Sequence, residues 1–288
     1  MPTLSLSSLL YQLLPWEVSP TVLVTVAVVA TLYVRGAGRT EPATPTGRRI
    51  AFGSGLLLIY AALQTHWDYY ASHMFYVHRL QHLVLHDVGP ALLMGAAPGA
   101  ALARGLPASM RRRLGGLQQA LRGPARLLLD PWTATAMYVA SLLLWLSPAV
   151  HFDAMISNWL YRTMNWSVVL ADLPFWWLVM DPRPWPLARV KSGWRIFMLL
   201  IGMPPMMVIG AILSLAQHDE YRVYEVCGRF LPVPPLVDQQ LGGLIIWIAG
   251  SFFIGIVILV VFARMLGHVK RATRAAEGLR VAKPALTK

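Results

Sequence analysis

The chain has 288 residues, of which 56% are hydrophobic and only 13% are charged, and its mean hydropathy is +0.53. A soluble domain usually carries about 25% charged residues, so this balance excludes an ordinary soluble domain and predicts a polytopic membrane protein. The net charge of +12 would suggest a nucleic-acid partner in a soluble protein, but here the loops explain it. The single cysteine, Cys227, excludes an intramolecular disulfide and a cysteine-rich metal site.

Seven mostly apolar stretches, each near the length of about 20 residues that a membrane-spanning helix needs, follow one another along the chain. They are roughly 17–34, 50–66, 73–96, 132–150, 158–180, 196–217 and 240–263. Residues 1–34 contain no Lys or Arg, so we expect no secretory signal peptide. The sequence predicts one all-α domain over 1–288, a bundle of seven transmembrane helices with a short basic tail at about 265–288.

Basic residues are concentrated in alternate loops, which predicts the orientation of the spans. The segments 35–49, 97–131 and 181–195, with the tail from Arg264, hold 21 of the 25 Lys and Arg residues. Because Lys and Arg near spans prefer the cytoplasmic side, we expect the N-terminus outside and the C-terminus in the cytoplasm. The high net charge then follows from this bias, and attraction of basic residues to anionic lipid is a further reason for it.

Seven of the eight histidines fall in the predicted outer half of the bundle or at its outer surface. His66, His151 and His218 lie at the outer ends of spans, and only His268 is cytoplasmic. The remaining four descend the third span from its outer end: His73, His78, His82 and His86.

Met74, His78, His82 and His86 recur at every fourth residue of this span. Residues at i and i+4 are neighbours on a helix face, and two imidazoles at that spacing can hold one metal ion. Three such steps cover about 18 Å, so one ion cannot touch all four residues. The ladder could pass an ion inward or hold more than one, and His73 is predicted to belong to a site at the rim.

Histidine with methionine, and no usable carboxylate cluster, favours copper over magnesium or calcium, since Cu(I) accepts imidazole and thioether ligands. We expect Cu(I), with zinc on histidine alone as the alternative. A packing role, hydrogen-bonded within the bundle, is the alternative for any single histidine. The candidate ligands are His78 and His82, then His73, Met74, His86, His151 and His66.

Other ionisable residues also lie inside predicted spans, where charge is costly and usually faces a partner or water. Asp87 and Asp172 could pair with His86 or orient it as supporting carboxylates, which explains His86 as well as metal binding does. We expect Arg162 to extend its guanidinium to the interface. The role of Arg79 is left open.

Three motifs resemble those of the multi-spanning CtaG-type cytochrome c oxidase assembly factors. HRLQHLVLHDVGPALLMGAAPG, residues 78–99, resembles their HMxQHLLL…PPLLLLGAP segment. PFWWLVMDPRPWP, residues 174–186, resembles their aromatic helix end and proline loop, and DQQLGGLIIWIAG, residues 238–250, resembles their last span. The motifs occur in order, and the resemblance covers roughly residues 50–265.

The resemblance implies an inner-membrane metallochaperone of the respiratory chain that handles copper for the active centre of the haem-copper oxidase. His78 and His82 occupy the paired-histidine positions of the motif. The implied partners are cytochrome c oxidase subunits, a copper donor and the lipid bilayer, with no nucleic acid. The implied location is the bacterial cytoplasmic membrane, multi-pass, with the metal site facing outward.

The sequence departs from the family pattern at two places. Arg79 stands where members often carry Met after the first histidine. At the start of the fifth span, where members commonly have a second histidine pair, the chain has Arg162, Met164 and Asn165. These departures imply either a three-coordinate His/Met site or a divergent subfamily.

Other function classes remain as alternatives or are excluded. A cytochrome b-like haem protein would need facing histidines on two helices, and a copper or proton transporter would use the His–Asp ladder. A retinal-binding receptor is excluded because 240–263 contains no Lys for a Schiff base. An enzyme is not expected, since no nucleophile with a base and no phosphate-binding loop is evident.

Overall fold

The structure, a computed structural model, describes residues 11–40 and 43–282. There the chain is all-helical, with one isolated bridge between Pro15 and Thr65, so the all-α prediction is confirmed. The helices are α1 Pro20–Ala37, α2 Thr46–Gln64, α3 His66–His73, α4 Phe75–Gly95, α5 Gly99–Gly105, α6 Ala108–Ala120, α7 Arg122–Leu128, α8 Pro131–Leu146, α9 Pro148–Ile156, α10 Asn158–Met180, α11 Ser192–Ser214, α12 Val223–Cys227 and α13, which comprises Pro235–Leu244, the π-helical turn Ile245–Gly250 and Ser251–Ala282.

Within the described residues, three helices are by themselves long and apolar enough to cross a membrane: α1, α11 and α13. The pairs α4 with α5 and α7 with α8 meet the same criteria together but bend by 74° and 66°, which brings the number to five at most. The two other predicted spans correspond to α2 and α10, helices of 19 and 23 residues that carry more polar side chains. The count of seven spans and the orientation of the termini stay predictions, and "outer" and "cytoplasmic" below follow that predicted orientation.

Two helix ends differ from their predicted limits. A proline sets the first, and the absence of a proline explains the second. The predicted span 132–150 is interrupted at Ser147, because Pro148 cannot donate a backbone N–H and starts the separate helix α9. The last helix continues past 263 to Ala282, so much of the predicted tail is helical. No proline occurs between Ser251 and Ala282 to stop it.

Glycines allow two pairs of helices to pack with their backbones in direct contact. A Cβ built on Gly36 of α1 would lie 1.7 Å from the Ala101 oxygen, and one on Gly105 would lie 1.9 Å from the Leu32 oxygen. A Cβ on Gly243 of α13 would lie 2.6 Å from the Ser214 nitrogen of α11. These close contacts fix α1 against α5 and α11 against α13.

Residues of the last-span motif fix the outer end of α4 and the loop beside it. The buried Asp238 carboxylate accepts the backbone N–H groups of Phe75 at 3.0 Å and Tyr76 at 2.9 Å and pairs with Arg229. Gln239 accepts the Glu220 N–H at 2.7 Å and donates to the His218 carbonyl at 3.1 Å. The motif is therefore structural, and it sets the position of the helix that carries the histidines.

Candidate metal centre and buried polar core

Three imidazoles meet in the outer half of the bundle. The rings of His78 and His82, one turn apart on α4, stack with centroids 4.5 Å apart and planes inclined by 20°. The ring of His151, from α9, lies edge-on to His78 at 5.0 Å. All three side chains are buried, so residues that are local in sequence and one that is distant share this site.

Hydrogen bonds fix the tautomers of two of these imidazoles. The Nδ1 of His78 donates to the Ala71 carbonyl at 3.3 Å, because a carbonyl can only accept. Its Nε2 then carries a lone pair, and it has no partner in the described chain. The Nδ1 of His151 donates in the same way to the Trp145 carbonyl at 3.2 Å, but its Nε2 already accepts the Tyr224 hydroxyl at 3.0 Å.

The third histidine of the ladder, His86, belongs to a separate cluster deeper in the bundle. It lies in the π-helical turn Val84–Val88, whose wider winding breaks the four-residue repeat. The Nδ1 of His86 contacts the carboxylate of Asp172, and the other Asp172 oxygen accepts the Ser141 hydroxyl at 3.1 Å. The structure thus has the arrangement in which Asp172 pairs with His86.

Aromatic side chains hold this deeper cluster in place. Trp176 donates its indole N–H to the His86 carbonyl at 2.8 Å. Tyr138 donates to Asp87 at 2.6 Å, and its ring stacks on Phe175 at 4.2 Å. The aromatic motif at 174–186 is thereby explained, since Phe175 and Trp176 support the tyrosine and the π-helical turn.

Little space separates the outer histidines from the deeper cluster. A cavity of about 20 Å³ lies between them, room for about one water molecule. Arg79 also lines this cavity, and its guanidinium lies 5.0 Å from the centre of the Phe75 ring. Its Nε and Nη2 have no partner in the described chain.

A larger cavity opens on the outer side and approaches the imidazoles through α10. It has a volume of about 310 Å³, and its lining includes Asp68, Tyr161 and Asn165. The Asn165 side-chain oxygen is buried and has no partner among the described residues. The ring of Tyr161 lies 6.0 Å from that of His78, so the tyrosine stands between the cavity and the histidine pair.

Asp68 organises the wall of this outer cavity. It lies on α3, outside the membrane-spanning helices, and accepts hydrogen bonds from Gln81 and Tyr161, both at 2.8 Å, and from Trp16 at 3.4 Å. Burial nevertheless outweighs these donors and raises the pKa of Asp68 to about 6. The group is therefore placed to gain or lose a proton in mildly acid conditions.

Several residues predicted as ligands have other partners. His66 bonds to the Leu14 carbonyl at 3.2 Å, and His73 bonds to the Tyr69 carbonyl at 2.7 Å. Met74 is fully buried in the turn before α4. Arg162, which is expected to reach the membrane interface, is 41% exposed and pairs with Glu17 at 3.1 Å. Within the described part of the chain, no three His, Cys, Asp or Glu residues are grouped so that they could hold a metal ion.

Several residues of the site are absent from the sequence-based candidates, among them Asp68, Tyr138, Tyr161, Tyr224 and Gln81. The tyrosines come from three other helices, and nothing in their spacing signals that they face α4. Gln81 lies between His78 and His82 in the motif and could have been identified as part of the polar face.

The comparisons with known proteins cover most of the chain. Residues 31–268 match the family model Caa3_CtaG, described as cytochrome c oxidase caa3 assembly factor. An uncharacterized protein of Mycobacterium leprae is 27% identical over 243 residues, 80% of this chain and 35% of that protein. Uncharacterized proteins of Mycobacterium bovis and Mycobacterium tuberculosis are each 26% identical over 211 residues, 70% of this chain and 32% of those proteins.

The chain thus spans about a third of the length of the curated relatives it matches. No solved structure matches it. The family is described by an assembly role rather than a catalytic one, in agreement with the expectation that the chain is not an enzyme. The resemblance found in the three motifs is confirmed: the chain is a membrane protein that belongs to the Caa3_CtaG family of cytochrome c oxidase caa3 assembly factors.

Proposed function

We propose that this protein binds Cu(I) through His78 and His82 at the outer side of the bacterial cytoplasmic membrane and supplies it to the maturing haem-copper oxidase. One observation carries the proposal. Two stacked, buried imidazoles lie one helical turn apart, and neither Nε2 has a partner among the described residues. A buried polar atom without a hydrogen-bond partner is costly and needs an explanation, which a bound ion supplies.

The surroundings of the pair support this use. A metal-ligating histidine usually donates its other ring N–H to a carbonyl or carboxylate, as His78 does to Ala71. The nearby His151 has its Nε2 bonded to Tyr224, so it is a supporting residue unless that bond breaks. Met74, four residues before His78, and Met164, next to Asn165 in the sequence, are fully buried and are candidate thioether ligands.

The small number of ligands favours copper over zinc. Zinc sites in proteins use three or four protein ligands, and no group of three His, Cys, Asp or Glu residues is placed for this in the described chain. Imidazole and thioether donors suit Cu(I). Copper is cargo here, received from a donor and passed to oxidase subunits.

The alternatives fit the geometry less well. A cytochrome b-like haem protein needs room for a macrocycle between facing histidines, whereas the cavity beside His82 and His86 is about 20 Å³. A transporter needs a continuing series of free ligands. Here the π-helical turn interrupts the ladder, and His86 already contacts Asp172.

The test is the metal content of the detergent-purified protein after loading with Cu(I) and removal of excess. We expect about one copper per chain, since two imidazoles one turn apart can share an ion. The double variant His78→Ala/His82→Ala should lose it. The matched control His218→Ala removes an exposed outer histidine and should keep it.

Copper absent from the unaltered protein, or retained by the double variant, would overturn the proposal. Bound haem or iron in place of copper would instead favour the cytochrome alternative. Copper movement into sealed vesicles that contain the protein would favour the transporter.

A further inference from the structure

A second cavity, distant from the histidines, opens at the predicted cytoplasmic end of the bundle. It lies among α2, α4, α13 and the end of α10 and has a volume of about 610 Å³, within the size range of ligand pockets. Its polar lining consists of Arg48, Arg264, His268 and Arg271. No Asp or Glu of the described chain lines it, so the cavity carries a concentrated positive charge.

The hydrogen bonds of these side chains leave donors free. Arg264 donates one N–H to the Met180 carbonyl at 3.0 Å. Arg271 donates to Nδ1 of His268 at 2.9 Å. No carboxylate of the described chain pairs with Arg48, Arg264 or Arg271, and a guanidinium has five N–H donors.

The rest of the lining is apolar. Ala51, Leu92, Met180 and Ala263 contribute to it between the arginines. A ligand that satisfies both parts carries an anionic group for the guanidinium groups and hydrocarbon for the apolar wall. Guanidinium groups bind phosphate oxygens in a planar, bidentate manner.

We propose that this cavity binds the phosphate headgroup of an anionic phospholipid, with the acyl chains lying along α2, α4 and α13. Basic pockets between membrane helices on this side commonly bind such headgroups. The positive-inside bias alone does not explain the arrangement. The same bias places Arg111, Arg112 and Arg113 of α6 on this side, but these residues are exposed and line none of the cavities described above. The inference is independent of copper binding.

The test measures retention of phosphatidylglycerol by the full chain in detergent, by native mass spectrometry across a lipid titration. The double variant Arg48→Gln/Arg271→Gln removes two charges but leaves Arg264 with its bond to α10. We expect its affinity for phosphatidylglycerol to fall by about tenfold or more, since each basic residue near a membrane surface contributes appreciably to anionic lipid binding. Arg112→Gln/Arg113→Gln removes the same charge from the same side and should leave the affinity unchanged.

Two further arms identify the source of the phosphate. Phosphatidylcholine, which has the same chains but no net charge, should bind more weakly than phosphatidylglycerol. Inorganic phosphate and glycerol phosphate should compete poorly, because they cannot use the apolar wall. Equal losses in the two double variants, no preference for the anionic lipid, or effective competition by inorganic phosphate would overturn the proposal.

Discussion

Replacing Asp238 by Asn should loosen the outer end of α4, the helix that carries the candidate ligands. The carboxylate caps this helix through the N–H groups of Phe75 and Tyr76 and pairs with Arg229. The first four N–H groups of a helix have no partner within it, and a negative charge there also complements the helix dipole. His78 lies within the first turn of α4, so the cap positions the candidate metal ligand as well as the helix.

The size of the effect follows from what asparagine keeps and loses. Its carbonyl oxygen can retain one N–H bond, but the negative charge is gone. Hydrogen bonds to charged groups contribute about 1.5–3 kcal/mol, and breaking a buried ion pair by removing one partner costs about 3–5 kcal/mol. Arg229 keeps 12% exposure and a second contact with Asp219 at 3.6 Å, which places the expected loss near the lower limit, about 3 kcal/mol.

The assay is denaturant unfolding in detergent micelles of Asp238→Asn, Arg229→Gln and the double variant. The double variant should lose less stability than the sum of the single variants, by about 1–3 kcal/mol, because both remove the same interaction. Asp153→Asn, which alters an exposed carboxylate on α9, is the control. A loss below about 1 kcal/mol for Asp238→Asn, or additive effects in the cycle, would refute the role given to this cap.

Four other variants test three further parts of the structure. Burial raises the pKa of Asp68 from 3.8 to about 6 in the folded state, which therefore binds this proton more tightly than the unfolded chain does. Stability should thus fall as the pH rises from about 4 to about 6. Asp68→Asn should flatten this part of the pH profile, measured as the denaturation midpoint. Gly243→Ala should cost about 1–3 kcal/mol by denaturant titration, since its Cβ would lie 2.6 Å from the Ser214 nitrogen, whereas Gly255→Ala, with nothing within 4 Å, should be nearly neutral. Asp172→Asn should lower the free energy of unfolding by about 3–5 kcal/mol, because it removes one partner of a buried pair, but it should not lower the copper content. A variant that loses copper at unchanged stability would contradict the separation of the two histidine clusters.

The parts of the site that depend on local geometry could be predicted from the sequence. His78 and His82 are expected to be neighbours because four residues make slightly more than one helical turn, and their rings do stack. The break at Pro148 was also available in the sequence, since a proline cannot continue the hydrogen bonds of the preceding helix. In both cases the deciding interaction lies within a few residues.

The parts that depend on contacts between distant segments could not be predicted. The expectation of an even ladder assumed α-helical geometry throughout, and the π-helical turn at Val84–Val88 changes the direction of His86. The sequence indicates Asp172 as a possible partner for His86, but no pattern selects Tyr138 for Asp87 or Tyr224 for His151. These partners come from other helices, and their positions depend on packing at the whole-bundle level.

The way the polar groups are divided along α4 favours holding copper over moving it across the membrane. On the outer side, the Nε2 atoms of His78 and His82 have no partner among the described residues and lie near a cavity of about 310 Å³ that is open to the exterior. Toward the centre, an ion would have to enter a cavity of about 20 Å³ lined by the guanidinium of Arg79. Repulsion between two positive charges is strong where water is scarce, so under the proposed function a copper ion held by the histidine pair would leave toward the outer side more easily than through this cavity. The copper exchange proposed above needs access from one side only, whereas a transporter needs a second exit.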